Sequence, residues 1–482
     1  MDSFYGLMTL LITAFVIPVV SLKTEKLAPY IAVASSFVAF ILSTTTAFTV
    51  FREGIQVQQM EGWPAPFGIT LAVDHLSIIP ILLVSAVGFL VILFSFRFIS
   101  RRKTEYYSIT LLLLGSLMGV LHTGDMFNLF VFLEISAITS YILVAFKKEK
   151  ESIEASIKYL IINSISTSMI LLGIALLYGA LGTLNMADLA LEMSAISDTF
   201  MPISMGLILS GLAIKSGFVP FHTWLPDAHP AAPSPISAIL SGLVISVGMY
   251  AIIRVSSTVY SSYAVVFNML IVLGVISMTV GALMALMQHD LKRMLAYSSI
   301  SQMGYIGMAV GMATPLGLAG GIFHLINQAI IKSLLFLCSG VIIHKAGTHD
   351  MRKMGAKFSS FTAGVFLIGV LSLAGLPFFN GFSSKLLIYI ASFNAFPLLT
   401  VIAVVTSAIT AAYGIKAFVL IFMRNTGKSS ITGMPLTMQI PLAILAMLCI
   451  LLGIIPGIGE SLAGFAVSNL NNMPYIRAVL GG

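Results

Sequence analysis

Charge is what this sequence has least of. Only 9% of its 482 residues are Asp, Glu, Lys or Arg, against roughly 25% in soluble globular chains. So few charges cannot cover a folded surface of this size in water, which excludes a soluble protein and indicates a polytopic membrane protein. Cysteine is scarce too. Cys338 and Cys449 are the two present, which excludes a disulfide scaffold and any four-cysteine zinc or iron–sulfur site. No GxxxxGK[ST] occurs, and no GxGxxG opens a strand–helix unit, so neither a P-loop ATPase nor a dinucleotide fold is expected. Histidine is too sparse inside the apolar runs for bis-histidine haem, and no acidic cluster suits calcium or a metal pair. No cofactor, metal or catalytic centre is therefore expected in the chain, and uphill transport must draw on a partner or on the gradient of a second ion.

What is present is apolar, with 58% of residues hydrophobic. Runs of about 20 such residues read as membrane-spanning helices. Fourteen are expected, at 3–22, 28–51, 75–98, 106–123, 125–146, 154–181, 202–228, 233–255, 262–287, 294–313, 315–345, 360–391, 394–424 and 436–456. The fold class is an all-α polytopic membrane protein. The first run is too long for a cleaved signal and lacks its basic start, so it reads as mature structure. Segment 185–198 is short and amphipathic and is expected along the surface. No loop is long enough for a soluble domain.

The net charge of +7 is mostly a topology signal. Eighteen of the 25 lysines and arginines follow odd-numbered spans, among them Arg101, Arg102, Lys147, Lys148, Lys292, Lys357, Arg424 and Lys428. Arg52, Arg254 and Arg477 lie on the opposite side. The positive-inside rule then puts both termini on the non-cytoplasmic side of the cell membrane, and no nucleic-acid partner is expected. The four remaining basic residues, Lys215, Lys332, Lys385 and Lys416, fall inside spans, where Glu134 is the one deep carboxylate. Ionisable groups in lipid are costly unless paired or hydrated, so they are functional candidates.

Two spans are interrupted. The seventh reads GLAIKSGFVPFHTWLPDAH, with Gly217 and Pro220. The twelfth reads LAGLPFFNGFSSKLLIYI, with Gly375, Pro377 and Gly381. Breaks in lipid are tolerated where the freed carbonyls face protein or a hydrated cavity. Each has a lysine nearby, Lys215 and Lys385. They lie five spans apart, an odd offset, which points to inverted repeats with ion sites near the midplane. Ordinary proline kinks are the alternative.

Glu134 lies about nine residues into its helix, roughly 13 Å deep at 1.5 Å per residue. Lys215 is its natural counter-charge. At 8 Å and an effective dielectric near 20 the pair interacts by roughly 2 kcal/mol, enough to switch a buried lysine between holding and releasing a proton. A static ion pair is the bland alternative, as is a Glu134 that only joins helices. His324, Gln328 and Lys332 recur at i, i+4 and i+8, a polar stripe on one helix face; a helix–helix hydrogen bond is the plainer role for His324. Lys385 suits a terminal donor or acceptor. Lys416 is close enough to a span end to snorkel. His222, His344 and Ser246 are candidates for an exit or a gate. The amides and hydroxyls of Ser298–Gly307 fit helix packing or solvation of a proton path.

Long stretches of the sequence resemble one family. HTGDMFNLFVFLEISAITSYILVAF, SIKYLIINSISTSMILLGIALLYGALGTLNMADL, KSGFVPFHTWLPDAHPAAPSPISAILSG, HDLKRMLAYSSISQMGYIG and FHLINQAIIKSLLFLCSGVIIH are similar to the antiporter-like membrane subunits. These comprise the D subunit of Mrp-type sodium/proton antiporters and the related proton-translocating subunits of respiratory complex I, membrane-bound hydrogenases and sulfur reductases. The similarity covers roughly residues 75–425, and the wording of the first two stretches most resembles the Mrp D type. It implies fourteen helices with two inverted five-helix repeats broken at helices 7 and 12. The chain then divides into N-terminal helices 1–3 (1–105), helices 4–8 (106–255), helices 9–13 (256–424) and helix 14 with a tail (425–482). It implies a proton axis of Glu134, Lys215, His324, Lys332 and Lys385. It also implies partner membrane subunits in which sodium exchange or redox chemistry takes place, and protons, with sodium as a further ion.

One position departs from the pattern. Many members carry a lysine in the eighth helix just before G-x-Y, where this chain reads LVISVGMY with Ser246 in that place. Serine hydrogen-bonds but holds no extra proton. The link between the two halves then relies on water or another group, or is broken, which leaves a shortened pathway using one half or a subunit that couples electrostatically without full conduction. A non-conducting structural subunit and a stand-alone transporter are the competing readings.

Overall fold

A chain in lipid has to satisfy its peptide groups within each segment, which leaves the helix as its building unit. The computed structural model follows that rule and describes residues 2–193, 200–354, 358–423, 434–468 and 472–481. Lys357, Arg424 and Lys428, and residues 194–198 of the expected surface segment, lie outside the described residues.

Three helices open the chain: α1 (Tyr5–Ser21), α2 (Ala28–Glu53) and α3 (His75–Phe98). Between α2 and α3 a small antiparallel hairpin pairs Gln56–Gln59 with Thr70–Val73, Gln56 opposite Val73. Then come α4 (Lys103–His122), α5 (Met126–Val144), α6 (Lys150–Leu181), α7 (Met186–Glu192) and α8 (Phe200–Ser216). After a break follow α9 (Trp224–Ala231), α10 (Ser234–Ile239) and α11 (Ile245–Thr258), the last two fused by a π-turn at Leu240–Val244. The second half holds α12 (Ala264–Met287), α13 (Leu291–Gly311), α14 (Pro315–Ala346), α15 (Ser360–Ala374), α16 (Asn380–Ala395) and α17 (Pro397–Phe418). α18 (Leu436–Ile454), α19 (Pro456–Ser468) and α20 (Asn472–Leu480) close it.

Eleven of the described helical segments are long and apolar enough to cross a membrane. The other three expected spans correspond to the shorter α1, to the polar-rich α13, and to the α15–α16 pair. The tail is more ordered than expected. The last span stops at Ile454, and α19 folds back against α14, where Gly459 lies against the Phe323 ring. Of the amphipathic segment, Met186–Glu192 is helical, with Met186, Ala187 and Leu189 buried.

The two halves share a skeleton at a constant offset of 165 residues. Asp125 caps α5 by accepting from the Asn128 N–H, and Asp290 caps α13 by accepting from the Arg293 N–H. α6 starts at Lys150 and α14 at Pro315. Both run 32 residues, and both stop at a left-handed glycine, Gly182 (φ 71°) and Gly347 (φ 67°). An isolated antiparallel bridge then ties Asp125 to Asn185 in the first half and Asp290 to Asp350 in the second. Five spans separate the halves, so they cross in opposite senses.

Both breaks are real. α8 ends before Gly217 (φ 73°) and α15 before Gly375 (φ 77°). α14 and the α10–α11 crossing are almost wholly enclosed, whereas α17 and α18 show most of their surface. α12 and α13 approach each other closely: a Cβ on Gly274 would meet the Met308 backbone nitrogen and one on Gly304 the Met278 backbone nitrogen. Small residues at such crossings let backbones approach in lipid.

Candidate functional site

In the first half, α5 carries Glu134 and α8 carries Lys215 one residue before its end. The Lys215 ammonium is buried, 5% exposed for the residue as a whole. It has no hydrogen-bond partner, and neither has Glu134 Oε2. The two are near enough for the carboxylate charge to act on the ammonium but share no hydrogen bond. α11 presses on this point. A Cβ on Gly248 would sit 2.9 Å from Ser216 Oγ and 3.3 Å from the Lys215 carbonyl carbon. Ser246, two residues earlier, is buried with a hydroxyl that has no partner.

The second half is more densely bonded. His324 Nδ1 shares a hydrogen bond with Ser384 Oγ (2.9 Å), and Nε2 meets Gln302 Oε1 (3.0 Å). Asn327 donates to the Asn380 carbonyl (2.8 Å) and to Ser384 Oγ (2.9 Å). Lys332 is fully buried and donates to the Leu295 carbonyl (3.3 Å) and the Ser298 hydroxyl. Lys385 donates to the carbonyls of Leu373 (2.9 Å) and Ala374 (3.3 Å) at the end of α15, and to Ser407 Oγ (3.0 Å). Its ammonium also lies 5.0 Å from the Tyr305 ring centre. Gln328, on the same stripe, is buried with neither amide atom bonded. Between the halves, Ser241 on the π-turn and Ser299 on α13 share a 2.6 Å hydrogen bond.

Buried polar atoms are normally bonded. Here Glu134, Lys215, Ser246, Gln328, Asn327 and Asn380 all keep unpartnered atoms. Such a run can exchange partners, as a relay of protons requires.

The candidates for an exit or gate are more scattered. His222 stands just past the first break, half-buried, with Nδ1 unpartnered and its ring 6.3 Å from that of Tyr297. His344 is exposed near the end of α14. Lys416 is not a free snorkelling cation: it donates to the carbonyls of Leu286 (2.7 Å) and Gln288 (3.2 Å) at the end of α12. Among the described residues no group of three or more His, Cys, Asp or Glu comes together to hold a metal.

Three buried charges are not evident from the sequence. Arg254 and Asp74 form a buried ion pair at 2.5 Å, with Arg254 also over the rings of Tyr250 (5.6 Å) and Tyr475 (5.0 Å). Arg254 reads as a loop charge because it lies near the end of its helix. Lys292 is buried too, donating to the Ala232 carbonyl (2.8 Å) and Ser237 Oγ (3.3 Å). Near the ends of their helices, Asp227 joins Lys158 and Arg293, each at 3.3 Å. Arg352 holds the Asp350 carboxyl down to about 2.

Residues 123–410 match the family described as NADH:quinone oxidoreductase/Mrp antiporter, transmembrane. The chain belongs to this family. The matched region contains Glu134, Lys215, His222, Ser246, His324, Lys332, His344 and Lys385. The chain is 35% identical, over 389 residues and 79% of each sequence, to the D subunit of the Na+/H+ antiporter of Alkalihalophilus pseudofirmus. Its fold superposes on a chain of the membrane-bound sulfane sulfur reductase, an archaeal respiratory membrane complex, with a TM-score of 0.94 and 32% identity over 99% of both chains. A chain of the Mrp complex from Dietzia matches with a TM-score of 0.90 and 26% identity over 100% of this chain and 99% of that one. This chain is thus a multi-pass, antiporter-like membrane subunit of the Mrp and complex I type, and its relatives are subunits of multi-subunit membrane complexes.

Proposed function

We propose that the chain moves protons along a buried axis from Glu134 and Lys215, past Ser246 and the Ser241–Ser299 pair, to Lys332, His324 and Lys385. We further propose that residues 106–255 and 256–424 act as its two halves, coupled to sodium exchange or redox chemistry in partner subunits. The observation that carries this reading is the Lys215 ammonium, buried beside a carboxylate without being bonded to it. A buried cation that is only partly compensated is poised to change its protonation when its neighbour moves. The distribution of lysine and arginine supports a cell-membrane location with both termini on the non-cytoplasmic side.

Ser246 favours a second reading, in which the link between the halves is broken and the pathway is shortened to one half. One experiment addresses both. Inverted membrane vesicles holding the whole complex are assayed for ΔpH formation and sodium movement. Lys215→Ala and Glu134→Gln are expected to abolish ΔpH while the partner subunits stay assembled; normal ΔpH in either variant defeats the proton-axis reading. Loss with Lys215→Ala but survival with Lys385→Ala selects the shortened pathway.

A further inference from the structure

On the face that carries most of the lysines and arginines, a cavity of about 500 Å³ opens between the loops after α3 and α5, the start of α10 and the end of α14. Ligand pockets commonly run from about 300 to 1,000 Å³. Its lining includes Arg101, Arg102, Lys147, Lys148 and Lys292 against a single carboxylate, Glu149. Internal neutralisation is slight. Arg102 makes an exposed 3.5 Å pair with Glu105 and donates to the Phe146 carbonyl. Arg101, Lys147 and Lys148 make no ion pair among the described residues.

Lys292 turns this cluster into a site. It lines the cavity yet is 2% exposed. Two of its three N–H groups are used, on Ala232 and Ser237; no carboxylate is bonded to it, and the charge of Asp290 acts on it without contact. A buried cation so weakly compensated is costly, and an anion in the cavity reduces that cost. The rim holds its cations on strained backbone: Arg102 (φ 53°) and Lys148 (φ 57°) are both left-handed, a conformation that long side chains rarely adopt. The remaining wall, with Phe98, Ile99 and Ile343, is apolar.

We propose that this cavity binds a phosphate group, presented by an anionic phospholipid of the bilayer or by free phosphate in solution. The arginines and lysines supply charge-assisted donors to the phosphate oxygens, and the apolar wall accommodates what the phosphate is attached to.

The full-length chain in its complex, in neutral detergent, is offered equal amounts of phosphatidylglycerol and phosphatidylcholine and examined by native mass spectrometry. A parallel arm adds inorganic phosphate and follows the thermal midpoint. Arg101→Glu with Lys148→Glu is compared with Lys23→Glu and Lys26→Glu, which makes the same charge change in another exposed loop. Wild type and control are expected to retain phosphatidylglycerol over phosphatidylcholine, with retention about tenfold or more lower in the cavity variant. Stabilisation of wild type and control, but not of the cavity variant, by inorganic phosphate without lipid retention supports the site and assigns its source to solution. If neither probe separates the cavity variant from the control, the proposal fails. Should the double variant not assemble, the single Lys148→Gln at an exposed position reads the same loss at smaller size, and its absence is equally decisive.

Discussion

In the first half, the Ile214 carbonyl next to the α8 break accepts from the Trp224 indole at 3.0 Å, and Lys215 is left without a hydrogen bond. In the second, the carbonyls released where α15 stops are taken by Lys385 itself. An ammonium has three donors, and those of Lys385 are engaged by Leu373, Ala374 and Ser407. The 165-residue offset sharpens the contrast, because the position matching Glu134 is Ser299, and the carboxylates of the second half, Asp290 and Asp350, sit at caps outside its spans. One skeleton thus holds a loosely tied lysine beside an acid in one half and a fully tied lysine without an acid in the other. A relay needs both kinds of group: one that changes state easily, and one whose position is fixed.

Beyond loss of ion movement, the largest expected effect concerns the cations near the end of each half's last helix. Arg254 is matched to a carboxylate, Lys416 only to carbonyls. Arg254→Met leaves Asp74 buried and unpaired and should cost about 3–5 kcal/mol, whereas Lys416→Met should cost about 1–2 kcal/mol. Unfolding of the purified protein in micelles measures both, and equal losses would erase the distinction. Next come the two break lysines. Lys385→Met strands two carbonyls and a hydroxyl and should destabilise by about 2–3 kcal/mol. Lys215→Met removes an unbonded buried charge and should be neutral or stabilising. A destabilised Lys215→Met would mean that its ammonium is already tied.

A smaller effect lies where the halves meet. Ser241→Ala removes the bond to Ser299 and should cost about 1 kcal/mol, with a double-mutant cycle through Ser299→Ala recovering that coupling. The smallest is at the surface. The folded Asp350 carboxyl titrates at about 2, below its ordinary 3.8. The Arg352 contact therefore contributes fully above pH 3.8 and is lost as pH falls towards 2. Arg352→Ala should lower the thermal midpoint slightly at pH 7 and converge on wild type as pH falls through 2; a difference undiminished between pH 4 and pH 1 assigns the effect to something other than this carboxylate.

Features written in local spacing were legible in the sequence. Gly217 with Pro220, and Gly375 with Pro377, mark the breaks because a glycine takes the left-handed turn and a proline two or three residues on withholds a helix donor. His324, Gln328 and Lys332 announce a shared face by recurring every fourth residue. Features made by distant chain segments were not. Asp74 and Arg254 lie 180 residues apart, each near a helix end, where a hydropathy reading assigns a loop. Lys292 reads as a topology charge, and only the approach of Ala232 and Ser237 buries it. The bond between Ser241 and Ser299 depends on the π-turn, which leaves no mark in the apolar pattern. The folding back of α19 depends on Gly459 meeting Phe323, equally invisible from Pro456 onward.

The inverted arrangement has an electrical consequence. Each helix carries a macrodipole equivalent to about half a charge at either end. Five alternating spans leave one such dipole uncancelled, and an inverted copy supplies its opposite. The scaffold therefore presents almost no net backbone dipole to the membrane potential, which is worth about 2.3 kcal/mol per charge per 100 mV. On the axis proposed above, voltage would act instead on the ionisable charge moved between Lys215 and Lys385, and the work done by the field would be coupled to that charge rather than to bending the frame.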